Sequence, residues 1–294
     1  MSTTRRYRLR GGKRRKTKKM ICSPGKKDNK FTCYSNESLH KLKKMWNARH
    51  PDAPILEKKP KKIWHTLKKN MDKVCSSEHC WLKQKFSKNK ITAELAKYTF
   101  APFAPAAWNK NPNEWLSSVE IEEVMKQHEM RMKNFAFIGP SPIDFDKRFV
   151  YGECVWNELC NFDLKSLISK GKNKIGMIFN LDPHYKEGSH WFSTFVDLRK
   201  KYVFYIDSTG DSMPKEIREL VNRIIKQAAD IGITLTLYEN KKEHQYQDSE
   251  CGMYSLFINI QLLYGKKTPK WLMNNRIADK DMMRLRKKYF NHEE

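Results

Sequence analysis

A single cysteine stands where a polar stretch of the chain becomes an apolar one, in "HQYQDSECGMYSLFINIQLL" from His244 to Leu263. The apolar half is typical of a buried helix, which would begin at about Cys251. A helix N-terminus and a neighbouring imidazolium lower the pKa of a thiol from about 8.5 into a range of about 3.5 to 7.5. The N–H groups of the first turn could also bind an oxyanion, and Gly252 allows a substrate backbone to approach closely. The junction therefore predicts a nucleophilic cysteine.

A candidate base and its acidic partner lie on two strand-like runs further upstream. His190 begins "HWFSTFVDL", and Asp207 follows "YVFYI". The basic residues 199–201 between the runs suit a hairpin turn, so the two strands should be antiparallel neighbours. His190 and Asp207 would then meet at one edge of a sheet, as a Cys–His–Asp triad requires. On the polar loop, Gln245 could donate a side-chain N–H to the oxyanion.

Each of these residues also has an ordinary structural explanation. A cysteine at the head of an apolar helix is most often a small buried residue. A histidine before a tryptophan on a strand is usually a core or edge residue, and Asp207 in "DSTG" could cap a turn. The order and spacing of the three together favour the catalytic interpretation.

The elements beyond residue 110 can supply the sheet edge and the helix that these residues need. Strand-like runs are "FAFIGP", "KIGMIFN", "HWFSTFVDL", "YVFYIDS" and "ITLTLYEN". Amphipathic helices are predicted from Leu116 to about His128 and over "PKEIRELVNRIIKQAADIG". We therefore expect an α+β fold, with a mixed sheet flanked by helices.

Charge divides the chain unevenly. Residues 1–110 hold 30 Lys and Arg against 7 Asp and Glu, a net charge of +23, and the rest hold 28 against 26, a net charge of +2. We expect a disordered basic tail over 1–30, a basic helical arm domain over 31–105 and a near-neutral catalytic domain over 106–294. Apolar residues at helical spacing in the arm start at Leu39 and again after Pro60.

The seven cysteines are an odd number in a lysine-rich chain, which is typical of an intracellular, reduced protein in which a free thiol could persist. Cys75 and Cys80, with His65 and His79 nearby, could be zinc ligands, but their spacing favours plain buried cysteines. No metal or cofactor is predicted. We also expect no membrane partner, because the chain has neither a long apolar stretch nor an apolar segment behind its N-terminal charges.

Two segments carry a resemblance to a known family. "HWFSTFVDLRKKYVFYIDS", followed by "HQYQDSECGMYSLF", resembles the cysteine peptidases that process ubiquitin-like modifiers and the adenoviral maturation protease (peptidase family C48 type). "WLSSVEIEEVM" is similar to the segment that opens their catalytic domain. "FTCYSNESLHKLKKMW" in the arm and "GPSPIDFD" resemble segments of the thiol proteases of large nucleocytoplasmic DNA viruses. The similarity of the catalytic domain to the family spans roughly residues 112–265.

The resemblance implies a papain-like fold of the adenain and SUMO-protease type. It makes Cys251 the nucleophile, His190 the base, Asp207 its orienting acid and Gln245 the oxyanion donor. It also implies that Trp115 and Trp191 are walls of a narrow tunnel that admits only glycines near the scissile bond. Glu250 departs from the family pattern, which has aspartate before the nucleophile, and this puts the geometry of the loop in doubt.

The function expected from the resemblance is an endopeptidase that cleaves polypeptides at Gly-Gly-X sites. Viral structural or core polyproteins would be its substrates during virion maturation, in the virion and the viral factory of the host cytoplasm. If the chain is not viral, we expect an intracellular, nuclear or cytoplasmic location. The basic arm could hold the enzyme on nucleic acid, and Gly11-Gly12 in "RLRGGK" could be a self-cleavage site.

Three alternative functions remain open at this point. An isopeptidase that removes SUMO-type modifiers would share every catalytic group. An acyltransferase could use the same triad. A non-enzymatic, basic core protein associated with nucleic acid would need none of them.

Overall fold

The structure, a computed structural model, describes residues 19–25, 29–87 and 90–292. The chain forms two compact units, which divide between Phe100 and Ala101. Within the described ranges, no helix is long and apolar enough to cross a membrane.

Unit 1 is helical. Its helices are α1 (Asn36–Arg49), α2 (Pro60–Met71), α3 (Glu78–Leu82) and α4 (Lys90–Thr99), with a 3₁₀ turn at Lys85–Ser87. The Ser35 hydroxyl caps α1 by accepting a hydrogen bond from the Ser38 N–H. Pro60 occupies the first turn of α2, where its missing N–H costs nothing. The apolar residues that predicted these helices, from Leu39 to Trp46 and from Ile63 to Met71, are the ones that the helices bury.

The basic tail predicted over 1–30 is too long. Met20 and Ser23 are buried in unit 1, and the partly buried Cys22 forms a β-bridge with Phe100. The basic composition of residues 1–30 did not indicate that these residues are buried, because their contacts are with residues far along the chain. Gly11-Gly12 lies outside the described residues.

The prediction of a reduced chain with free thiols is wrong for six of the seven cysteines. They form the disulfides Cys22–Cys33, Cys75–Cys80 and Cys154–Cys160. The Cα atoms of each pair lie 5.1–6.2 Å apart, a separation that a disulfide spans. Cys75 and Cys80 therefore bind each other rather than zinc. Cys251 is the cysteine that stays free.

Unit 2 contains a five-stranded sheet in the order β1 (Phe135–Pro142), β2 (Lys174–Asn180), β3 (Trp191–Asp197), β4 (Tyr202–Ile206) and β5 (Thr236–Glu239). The β1–β2 and β4–β5 pairs are parallel, and the two central pairs are antiparallel. The helices are α5 (Ser118–Arg131), α6 (Asn157–Cys160), α7 (Leu164–Ser169), α8 (Lys215–Ala229), α9 (Cys251–Leu263), α10 (Pro269–Asn274) and α11 (Asp279–Tyr289). The predicted α+β class with a mixed sheet is confirmed.

Successive strand residues point to opposite sides of the sheet, and each side faces its own buried core. Phe195 and Phe204 enter the core that α5, α9 and α11 cover. Phe192, Val196 and Tyr205 enter the second core, which α7 and α8 cover. The apolar α9 is thus packed against the centre of the sheet.

The segment from Ala101 to Trp108 belongs to unit 2, although the predicted domain boundary lay between residues 105 and 106. The Asn291 N–H donates to the Pro102 carbonyl, and the Ala104 N–H donates to the Asn291 carbonyl. Trp108 is buried and lies edge-on to Phe290. These contacts fix the segment to the end of α11.

The β3–β4 hairpin turns where the basic residues 199–201 predicted it. The Asp197 carboxylate accepts hydrogen bonds from the N–H groups of Arg199 and Lys200, at 3.1 and 2.9 Å. Lys201 takes the left-handed conformation, with φ 57°. The hairpin therefore brings the residue before β3 and the residue after β4 to one edge of the sheet.

Candidate active site

His190 and Asp207 meet at that edge. Nε2 of His190 lies 2.8 Å from Oδ1 and 2.9 Å from Oδ2 of Asp207. The Asp207 carboxylate also accepts hydrogen bonds from the N–H and the hydroxyl of Thr209. Asp207 is buried, so the carboxylate is fixed and in turn orients the imidazole ring.

Cys251 is the first residue of α9 and is buried. Its thiol lies close enough to the His190 imidazole to affect the pKa of that ring. Burial of the imidazole opposes its protonation, but the hydrogen bonds and negative charges of Asp207 and Cys251 raise the pKa of His190 to about 10. At neutral pH the site can therefore hold an imidazolium next to Cys251, at a helix end that favours negative charge.

Gln245 is held inside the loop that precedes Cys251. Its side-chain oxygen accepts a hydrogen bond of 2.8 Å from the Ser208 hydroxyl, and its amide nitrogen donates to the carbonyl of Gln247. The backbone N–H groups of His244 and Gln245 both donate to the Ser208 carbonyl. The loop is thereby tied to the turn that follows Asp207, and the predicted oxyanion donor is engaged within the loop.

Two polar residues at the site were not indicated by the sequence pattern. The Asn240 amide is fully buried and donates to the carbonyls of Asp207 and Lys242, at 3.2 and 2.8 Å. Nδ1 of the buried His244 accepts a hydrogen bond of 3.1 Å from the Ile277 N–H. An asparagine after a strand is a common turn residue, so its type alone could not reveal this contact.

Glu250, the residue at which the chain departs from the family pattern, is fully buried. Its carboxylate accepts hydrogen bonds from Nε of Arg286 on α11, at 3.2 and 3.1 Å. Burial raises the pKa of the Glu250 carboxyl, and the hydrogen bond from Arg286 opposes that rise. The loop geometry that this position put in doubt is set by a buried ion pair.

Gly252 lies directly beneath Leu116 and Trp191. A Cβ atom at position 252 would lie 2.9 Å from Cβ of Leu116 and 3.3 Å from Cδ1 of Trp191. The Trp191 indole is itself fixed, because its Nε1–H donates to the Leu116 carbonyl at 2.8 Å. A glycine is therefore required next to Cys251.

A groove with a volume of about 560 Å³ runs along this side of the site. Trp115, Leu116 and Trp191 form part of its lining, so the structure brings both predicted tryptophans to one groove. Trp115 is half-exposed and Trp191 is buried. Other lining residues include Pro140, Trp156, Asp182, Pro183, Glu187 and Gly188.

Among the residues that the structure describes, no group of three or more His, Cys, Asp and Glu side chains is placed to hold a metal ion.

Comparisons with known proteins agree with this geometry. The model of the Ulp1 protease family, C-terminal catalytic domain, matches residues 126–294. A protein named as a thiol protease in Acanthamoeba polyphaga mimivirus is 27% identical over 291 residues, which cover 93% of this chain and 94% of that relative. A SUMO-1 cysteine protease of African swine fever virus is 26% identical over 251 residues, which cover 81% of this chain and 91% of that relative.

A solved structure shows a similar fold. The crystal structure of a protease of African swine fever virus has a TM-score of 0.63 and 20% sequence identity. The similarity covers 93% of this chain and 96% of that chain.

The family match spans more than half of the sequence and contains His190, Asp207 and Cys251. The chain therefore belongs to the Ulp1 protease family, and it is a cysteine-type peptidase.

Proposed function

We propose that this peptidase cleaves polypeptides after Gly-Gly, with Cys251 as nucleophile, His190 as base and Asp207 as its orienting acid. The observation that carries the proposal is the contact of His190 with both Asp207 and Cys251 at the N-terminus of α9. This is the arrangement that thiolate chemistry needs.

In the first half of the proposed reaction, the Cys251 thiolate attacks the carbonyl carbon of the scissile bond and a C–S bond forms. The Cys251 N–H, and the Gln245 amide if substrate binding frees it, stabilise the oxyanion. The His190 imidazolium gives its proton to the leaving amine as the C–N bond breaks. The product is an acyl-enzyme.

In the second half, neutral His190 takes a proton from water as the water oxygen attacks the thioester carbonyl. The C–S bond breaks, and the Cys251 thiolate is regenerated beside protonated His190. Asp207 keeps the imidazole oriented throughout, since its carboxylate contacts Nε2. After one turnover, Cys251 and His190 have returned to their starting protonation states.

The preference for glycine is supported by the narrow space above Gly252. Trp191 and Leu116 lie within van der Waals distance of a Cβ at position 252, so the side chains packed beside the nucleophile leave little free space there. Trp115 lines the same groove. A pair of glycines before the scissile bond needs the least space beside these side chains.

A matched pair of internally quenched peptides tests this proposal. One contains Gly-Gly-X, the other contains Ala-Ala-X, and the flanking residues are identical. We expect cysteine-dependent cleavage of the first peptide only, and none by Cys251→Ala. Equal cleavage of both peptides would remove the glycine preference, and cleavage that survives Cys251→Ala would remove the proposed nucleophile.

A modifier-removing activity is the second candidate, because a relative from African swine fever virus is named a SUMO-1 cysteine protease. If the enzyme is instead the Gly-Gly endopeptidase proposed above, its substrates are precursors of virion proteins, and it acts in the virion or the viral factory. Parallel digests of a SUMO fusion and of a Gly-Gly-containing structural precursor from the source virus separate the two. Selective cleavage of the SUMO fusion would favour the second candidate.

We further propose that the basic residues 1–110 attach the enzyme to nucleic acid, since their net charge of +23 could neutralise many phosphates. Filter binding should show affinity that falls steeply with salt. Flat or absent binding at low salt would contradict this role.

The tail sequence "RLRGGK" also offers a proposed self-cleavage site after Gly12. Intact-mass measurement should find a shortened N-terminus in the wild type and not in Cys251→Ala. Identical N-termini in both would exclude it.

A further inference from the structure

The residue before the nucleophile is part of a buried ion pair that connects it to α11. Glu250 is fully buried and Arg286 is 3% exposed. Nε of Arg286 lies 3.2 and 3.1 Å from the two carboxylate oxygens of Glu250. Nη2 of Arg286 donates to the Ser249 carbonyl at 3.1 Å. One guanidinium thus fixes the two residues that lead into Cys251.

Arg286 is itself held by an aromatic ring. Its guanidinium carbon lies 4.6 Å from the centre of the Trp108 ring, and Trp108 packs edge-on against Phe290 at 5.0 Å. A planar guanidinium can stack on an aromatic face while it keeps its in-plane hydrogen bonds, which an ammonium group cannot do. The contact therefore sets the direction of the hydrogen bonds to Glu250 and Ser249.

The pair also balances charge next to the nucleophile. Glu250 precedes Cys251 directly, and an unpaired carboxylate there would disfavour the thiolate. The charged groups around the pair are few: Asp279 at the start of α11 repels Glu250, and His190 contacts Cys251 from the sheet edge. Asp279 is already paired with Arg276, at 3.4 Å. Arg286 is the cation bonded to Glu250.

We propose that Arg286 is a positioning residue for Cys251, which fixes the Ser249–Cys251 backbone and cancels the charge of Glu250. The proposal rests on the cysteine chemistry proposed above. Arg286 touches neither substrate nor the reacting atoms, and it acts through Glu250 and Ser249.

The pH dependence of Cys251 alkylation by iodoacetamide tests this role, together with kcat/KM on a Gly-Gly peptide. The Arg286→Met variant should alkylate at least about tenfold more slowly at pH 7, with its profile displaced to higher pH by about one unit, because Glu250 loses its counter-charge. Glu250→Gln/Arg286→Met should recover most of the displacement, since the glutamine carries no charge. Arg286→Lys should recover part of it.

Arg223→Met is the matched control. Arg223 also bonds a carboxylate through one guanidinium, at 3.1 Å to both oxygens of Asp146, and it donates to the Leu159 carbonyl. Its loss should leave the alkylation profile and kcat/KM unchanged. The proposal fails if Arg286→Met matches this control, or if the double variant is displaced as far as the single one. If Arg286→Met does not fold, the alkylation profiles of the double variant and of Arg286→Lys test the proposal in its place.

Alkylation needs no substrate, so the test does not depend on the proposed specificity. If the wild type cleaves no Gly-Gly peptide, the proposed function fails, and the alkylation profiles still show the role of Arg286. If the peptide is cleaved and the profiles coincide, only the role of Arg286 fails.

Discussion

Asp207 contacts Nε2 of His190 with both carboxylate oxygens, at 2.8 and 2.9 Å. This leaves Nδ1 as the ring nitrogen that can face Cys251. In the proposed reaction, the proton that His190 transfers is carried on Nδ1, and Asp207 stabilises the charged ring from the opposite side. The pair depends on the β3–β4 hairpin, which joins residues 17 positions apart.

Loss of the Asp207 carboxylate should reduce kcat/KM by at least about 100-fold, because the imidazole loses both its orientation and its counter-charge. Asp207→Asn should keep the ring in place and yet remain impaired, as an amide cannot stabilise the imidazolium. Asp146→Asn, a carboxylate that binds Arg223 instead, is the control and should retain activity. Full activity in Asp207→Ala would exclude the proposed triad.

The pH profile of activity should extend well into the alkaline range. The contacts with Asp207 and Cys251 raise the pKa of His190 to about 10, despite burial, so the imidazolium persists at neutral pH. Activity should fall as pH rises through about 10, where the proton for the leaving amine is lost. The raised pKa of His190 also stabilises the fold. This contribution is fully present below the unfolded-state pKa of about 6.5, and it is lost as pH rises through about 10. Rates measured from pH 6 to 10.5 should show this limit, and Asp207→Ala should move it to lower pH.

Acid should destabilise the fold through two buried histidines. Burial, followed by the charges of nearby lysines and Arg276, lowers the pKa of His128 and His244 to about 4. Between pH 6.5 and 4 the unfolded chain binds protons that the folded chain does not, so stability falls as pH falls across this window. Thermal melts of Cys251→Ala at pH 7 and pH 5 should show the loss of Tm. His128→Gln should reduce that loss, and an unchanged loss would contradict this cause.

Gly252→Ala should lower kcat/KM by at least about tenfold, because the new methyl group must displace Leu116 or Trp191 beside the nucleophile. Gly232→Ala separates this effect from a general backbone cost. Gly232 has φ +77° and open space around its Cβ position, so its variant should lose stability and keep kcat/KM. Equal kcat/KM in the two variants would show that the space above position 252 does not matter.

Thiol labelling in denaturant should modify Cys251 alone before reduction and all seven cysteines after it, because the other six are paired. Peptide mapping by mass spectrometry locates the labels. Cys251→Ala should take up no label before reduction. Labels on Cys75 or Cys154 in the unreduced protein would contradict the pairing.

The parts of the site that depend on neighbours in sequence were predictable. Two adjacent strand-like runs, with the basic residues 199–201 between them, indicated the hairpin that joins His190 to Asp207. The start of an apolar run located the N-terminus of α9 and hence Cys251. Both signals are local periodicities of strands and helices, which follow from backbone geometry.

Contacts between distant segments were not predictable from one sequence. Arg286 lies in a basic helix where several cations look equivalent, and only the folded chain shows that this one is buried against Glu250. The disulfides were missed for a similar reason, since composition gives the number of cysteines and not their distances. Gln245 was predicted from its place on the polar loop and from the resemblance, but its amide donates a hydrogen bond to Gln247, which no sequence pattern indicates.

The position of Arg286 in the chain also affects when a newly made molecule becomes active. His190, Asp207 and Cys251 are all synthesised before Arg286, which follows the nucleophile by 35 residues. At about 5–20 residues per second, translation reaches Arg286 roughly 2 to 7 s after Cys251. During that interval a nascent chain has every proposed reacting group but not α11, so the proposed role of Arg286 predicts that proteolysis begins only after α11 has folded against Trp108.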